Sequence, residues 1–162
     1  MPDYKAPLRD MRFVLNEVLD LDGHYASLGL EDVNSELLNA FLEEGAKFSE
    51  NELAPLNRSG DEEGCGFENG VVTTPKGFKE AYAKYVEGGW PAMGGDPEFG
   101  GQGLPAVLGF AVAENLGTAN MGFNLCPMLT GGAIEAIAAH GSPDLQQQYL
   151  PKLITGEWTG TM

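Results

Sequence analysis

No side chain between residues 116 and 134 carries a charge, and no other feature of this 162-residue chain limits its fold as tightly. The run is about as long as a helix that crosses a bilayer. Gly117, Thr118, Asn120, Gly122, Asn124, Pro127, Thr130, Gly131 and Gly132 interrupt it, however, and a lipid-facing helix does not carry polar and helix-weakening residues at that density. A helix enclosed by protein on nearly all sides accounts for the same run. No integral membrane segment is expected.

The flanking sequence supplies further helices by period and punctuation. In residues 8–19, Leu8, Met11, Leu15, Val18 and Leu19 recur at three- and four-residue steps beside Val14, an amphipathic helix with Pro7 at its start. Asp32 and Asn34 are N-cap residues ahead of Leu37, Leu38, Phe41, Leu42, Phe48 and Leu53, a second helix whose clean course Pro55 limits. Residues 57–74 are polar, glycine-rich and without period, and read as a long surface loop with a short β-like run at 70–73. After Thr74 and Pro75, the side chains Phe78, Tyr82, Tyr85 and Val86 trace one helical face as far as Gly88 and Gly89.

Residues 90–103 hold so many glycines and prolines that they form a constrained loop without regular structure. Residues 104–116, with Pro105 in the first turn, and residues 121–139, closed by Gly141, are the next two helices. Ser142 and Pro143 start a last helix carrying Leu145, Tyr149, Leu150, Leu153 and Ile154, stopped by Gly156. About six helices with short connections predict an all-α fold, an up-and-down bundle.

The balance of 9 Lys and Arg against 24 Asp and Glu gives a formal charge of −15, which repels nucleic-acid backbones and anionic lipid surfaces. No nucleic acid partner is expected. Cys65 and Cys126 have no Cys or His neighbour at metal-ligand spacing, which excludes a zinc site. The start MPDYKAPLRD has no apolar signal-peptide core, so reduced thiols and a cytoplasmic location are expected, although one disulfide between the two cysteines is conceivable in principle.

Few residues stand out as chemistry. Gly101, Gly103 and Ala106 satisfy the G-x-G-x-x-A pattern of a dinucleotide loop, but no strand precedes them and Pro105 removes one amide that would face phosphate. His24 and His140 lie in different elements with no triad partner nearby, and His140 suits a helix C-terminus. Glu135 is the one charge in the neutral helix and is placed at its exposed edge rather than in a buried pair. Asn124, Leu125, Met128, Leu129 and Gly132 fall on adjoining turns of that helix. They suit either an ordinary core or an apolar wall for an acyl chain.

Three stretches together, FSENELAPLNRSGDEEGC, TTPKGFKEAYAKYVEGGWPAMGGDPEFGGQGLP and GSPDLQQQYLPKLITGEWTGTM, resemble the N-terminal helical domain of the acyl-CoA dehydrogenases. The leader YKAPLRDMRFVLNEVL is similar to the extension of a subgroup that includes the methylthiopropionyl-CoA dehydrogenases, related members of which act on other acyl-CoA esters. The resemblance implies a leader over residues 1–33 and the family domain over residues 34–162. It implies an FAD enzyme that oxidises acyl-CoA to 2-enoyl-CoA, with electron-transfer flavoprotein as partner and a homo-oligomeric assembly. The family's middle β domain, C-terminal bundle and catalytic glutamate lie further along the polypeptide, so the 162 residues alone are expected to be inactive and to retain no FAD. It also implies that Asn124, Leu125, Met128 and Gly132 line the acyl pocket. The opposing expectation is a stand-alone helical interaction module without flavin.

Overall fold

The computed structural model describes residues 4–161. The chain is all-helical apart from one small hairpin. Helix α1 (Leu8–Arg12) runs on into a π-turn (Phe13–Val18), and α2 (Leu21–Ser27) follows a break at Asp20. Asp20 adopts a left-handed backbone, φ 46°, and its carboxylate accepts from the Gly23 amide to cap α2. Asn34 caps α3 (Ser35–Phe48) in the same way through Leu37. A second π-turn (Ser49–Leu53) joins α3 to α4 (Ala54–Glu63) without interrupting the rod.

Strands β1 (Gly66–Glu68) and β2 (Val71–Thr73) pair antiparallel with Phe67 opposite Val72. Helix α5 (Phe78–Glu87) leads into the glycine-rich loop, which contains two short 3₁₀ turns, and α6 (Ala106–Ala119), α7 (Met121–His140) and α8 (Pro143–Ile154) complete the chain.

The core lies where α3 and its π-turn pack on α6. A Cβ on Gly45 would stand 3.3 Å from Val112, so these two helices touch closely at that point. The Asn120 side chain donates to the Leu53 carbonyl at 3.2 Å, an equal number of residues further along both rods. The two rods therefore run in the same direction, with Leu38, Leu42, Leu53 and Leu108 fully buried around the seam. Each such side chain contributes roughly 1.5–3 kcal/mol through removal of apolar surface from water. Phe48, Tyr85 and Trp90 close one end of this core with ring centroids 6.1–6.4 Å apart, a spacing typical of favourable aromatic pairs.

Four expectations from sequence need correction. Pro55 does not limit the second helix: it lies just after the π-turn, in which the Ala54 amide donates five residues back to the Ser49 carbonyl, and the rod runs on through it. Most of residues 57–74 is not loop: α4 continues to Glu63 and the hairpin occupies much of the rest. The helix over residues 8–19 buries Met11 while Val14, Val18 and Leu19 stay exposed. The π-turn inserts extra residues per turn and rotates these side chains off the face that period 3.6 predicts. Finally, α7 is not enclosed on nearly all sides, since among its residues only Phe123 and Thr130 are buried.

Candidate functional site

Helix α7 begins where Asn120 caps it, accepting from the Phe123 amide at 3.0 Å. This cap sets the rotation of the helix and decides which side chains face outward. Leu125 is 45% exposed and Met128 53% exposed, with Met121 beside them on the same stripe. Gly132 continues the stripe, and a Cβ built there meets nothing within 4 Å. Asn124 is half-buried against α6, its amide 3.1 Å from where a Gly117 Cβ would stand. The structure thus brings Leu125, Met128 and Gly132 onto one outward apolar face, with Asn124 at its edge. Glu135 is exposed at the far end, as expected.

The opposite side of α7 borders a cavity of about 670 Å³ that nothing in the sequence reading anticipated. Its lining comes from four elements: Gly60 and Asp61 of α4, Cys65 and Pro75 flanking the hairpin, Phe78 and Tyr82 of α5, and Phe123 and Cys126 of α7. On a helical projection this face lies roughly 150° from the Leu125–Met128–Gly132 stripe. Phe78 and Tyr82 each sit 6.4 Å from the Phe123 ring, and the Phe78 ring covers Gly60 so closely that a Cβ there would approach it to 2.6 Å. The signal for this site was the i, i+4 pair Phe78 and Tyr82 beside the i, i+3 pair Phe123 and Cys126.

Burial sets the electrostatics of this region. It pushes the Tyr85 phenol well above its ordinary range, with Tyr82 and Cys126 adding to the shift. Burial likewise raises the Cys126 thiol, an effect that the neighbouring Thr130 hydroxyl partly offsets. The Thr130 hydroxyl donates to the Cys126 carbonyl at 2.8 Å and accepts from the Gly160 amide at 3.1 Å. Through that contact the segment after α8 lies across α7, with Thr159 at the cavity. Tyr82 donates to the Gly156 carbonyl at 3.0 Å, and Trp158 packs at a tilt against Tyr149, with the Lys152 ammonium over its ring.

The glycine-rich loop does not cradle a phosphate. The Gly101 amide donates to the Asp96 carbonyl and the Gly103 amide to the Gly95 carbonyl, both at 2.9 Å, so neither is free for an anion. Gly101 is required for a different reason: a Cβ there would lie 1.9 Å from the Gly95 carbonyl oxygen. His24 lies in α2 and His140 ends α7, both exposed, and no cluster of three metal-ligating side chains occurs among the described residues. Cys65 and Cys126 are free thiols. No helix among the described residues is long and apolar enough to cross a membrane.

Residues 35–157 match the family described as acyl-CoA dehydrogenase, N-terminal domain. The chain is 42% identical over 159 residues to the 3-methylmercaptopropionyl-CoA dehydrogenase of Ruegeria pomeroyi, an alignment covering 98% of the chain and 27% of that protein. It is 31% identical over 169 residues to a butyryl-CoA dehydrogenase of Syntrophomonas wolfei, covering 99% of the chain and 27% of that protein. A broad-specificity linear acyl-CoA dehydrogenase of Mycobacterium tuberculosis is 27% identical over 165 residues, covering 100% of the chain and 26% of that protein. The chain spans about a quarter of the length of these curated relatives. A helical architecture with one small hairpin, a match over most of the described residues and relatives aligned along the whole chain lead to one conclusion: the chain belongs to the acyl-CoA dehydrogenase family and carries its N-terminal domain.

Proposed function

We propose that these residues are the N-terminal portion of an FAD-dependent acyl-CoA dehydrogenase that oxidises acyl-CoA to 2-enoyl-CoA. The observation that carries this reading is the uncovered apolar stripe of Leu125, Met128 and Gly132 on α7, with Asn124 at its edge, in a chain whose relatives are named for acyl-CoA oxidation. In this reading the stripe is one wall of the acyl pocket. Gly132 leaves room for the chain, Leu125 and Met128 contact its methylenes, and the Asn124 amide supplies a single polar contact. Residues 1–33 serve as a leader to the family domain of residues 34–162.

FAD supplies the hydride acceptor that such a reaction requires. The loop amides of Gly101 and Gly103 are committed to Asp96 and Gly95, which supports placing the flavin phosphates away from this loop. The flavin contacts and the base that removes the α-proton are assigned to parts of the enzyme other than these. Electron-transfer flavoprotein is the proposed redox partner, a homo-oligomer the proposed assembly and the cytoplasm the proposed location. The 162 residues alone are proposed to be inactive and colourless.

The test is to purify the natural polypeptide that carries these residues and supply acyl-CoA esters with a flavoprotein or dye acceptor. Formation of the 2-enoyl thioester with reduction of the acceptor is the expected result. Absence of bound flavin together with absence of enoyl product overturns the reading and leaves a helical interaction module in its place.

A further inference from the structure

We propose that the cavity between α4, the hairpin, α5 and α7 is a second ligand site, for an uncharged aromatic ring carrying one N–H or O–H donor, of the indole or phenol class. It lies on the face of α7 turned away from the stripe, so the argument is independent of the acyl-pocket assignment.

Size and lining indicate an aromatic occupant. About 670 Å³ lies within the ordinary range for small-molecule sites, roughly 300–1,000 Å³. Phe78, Tyr82 and Phe123 present ring faces and edges to it, and ring against ring is favourable beyond simple area burial.

Two acceptors at the site lack a donor, although Asn57, Thr74 and Lys79 of the lining carry donors of their own. Pro127 has no N–H, so the carbonyl of Phe123, four residues earlier on the cavity wall, lacks its regular helical donor. Asp61 lines the mouth and makes no ion pair or hydrogen bond among the described residues. The Tyr82 hydroxyl proton is already given to Gly156. A ligand with one donor completes this set. An anionic ligand is disfavoured by the net charge of −15, with exposed Lys79 the single cation of the lining.

Cys126 reports on occupancy, because its thiol lines the same cavity. In a Cys65→Ser background, the rate of alkylation of Cys126 by N-ethylmaleimide is followed by mass spectrometry of the peptide that contains it while indole is titrated. Indole should slow the reaction saturably, by at least about tenfold. Benzothiophene, of the same shape but without a donor, should protect several-fold more weakly. Pro127→Ala restores an N–H for the Phe123 carbonyl and should bring indole down to the benzothiophene level. Gly122→Leu and Ala83→Phe fill the cavity from exposed positions and should abolish protection while the melting temperature stays within a few degrees. An alkylation rate unchanged up to the solubility limit of indole overturns the proposal, as does protection that survives both filled variants. Equal protection by benzothiophene and indole overturns the assignment of the donor.

Discussion

Asn120 joins two helical rods that are distant in sequence: its amide donates to the Leu53 carbonyl while its carbonyl oxygen caps α7 through Phe123. Asn120→Ala removes a cap, worth about 1 kcal/mol, and leaves the Leu53 carbonyl without this donor, a further cost of about 1–3 kcal/mol. Asn120→Ser keeps the cap and loses only the second bond. Urea denaturation should therefore rank wild type above Ser above Ala. Equal stability of the Ser and Ala variants would show that the cap contributes nothing here.

Substitution of Gly132 separates wall from packing. A Cβ at Gly132 meets no atom within 4 Å, so Gly132→Leu should fold. On the proposed reading, in the natural polypeptide that carries these residues it should lower kcat/KM for long acyl chains more than for short ones, by on the order of 1–3 kcal/mol for each methylene excluded. A uniform loss at every chain length, with a large fall in melting temperature, would refute the wall.

The glycine-rich loop provides a contrast between neighbours. Gly101→Ala forces a Cβ into the Gly95 carbonyl and should cost at least the upper part of the ~1–3 kcal/mol range for overpacking. Gly94→Ala, whose nearest neighbour would be 3.9 Å away, should be close to neutral. Similar melting temperatures for the two variants would contradict the close approach of Gly95 and Gly101.

The segment at Lys5 and Ala6 is held by a carboxylate, and this makes its attachment sensitive to acid. Glu50 accepts from the Lys5 ammonium at 2.6 Å and the Ala6 amide at 3.0 Å, and these contacts hold its carboxyl below the ordinary range. A depressed carboxyl stabilises the fold fully above its unfolded pKa, about 4.3, and loses that contribution as the pH falls through the lower folded value. The protection factor of the Ala6 amide, its exchange rate relative to the unstructured rate at the same pH, should fall below about pH 4, and Glu50→Gln should show much of that fall already at neutral pH. A segment that stays equally protected in Glu50→Gln would assign its attachment to packing alone.

What the sequence disclosed followed its punctuation. Pro105, Gly141, Ser142 and Gly156 place the start of α6, the end of α7 and both ends of α8 within a few residues, because a cap or a ring acts locally and needs no tertiary context. The two π-turns left no such mark, and each displaced an expectation, rotating Val14 and Val18 outward and carrying the rod past Pro55. The uncharged run was read correctly as helix and wrongly as enclosed, since absence of charge says that a face meets something apolar without saying that this chain supplies it. Asn124, Leu125, Met128 and Gly132 were visible as neighbours on a helix. The cavity behind them was not, because its lining is assembled from α4, the hairpin, α5 and α7, whose proximity exists only after folding.

Helix α7 has a hollow against one side and a bare stripe on the other, with Pro127 near its middle, where the ladder of backbone bonds is already one rung short. Leu125 and Met128 on one side and Phe123 and Cys126 on the other belong to one rod, so a rigid displacement of α7 that widened the space on one side would narrow it on the other.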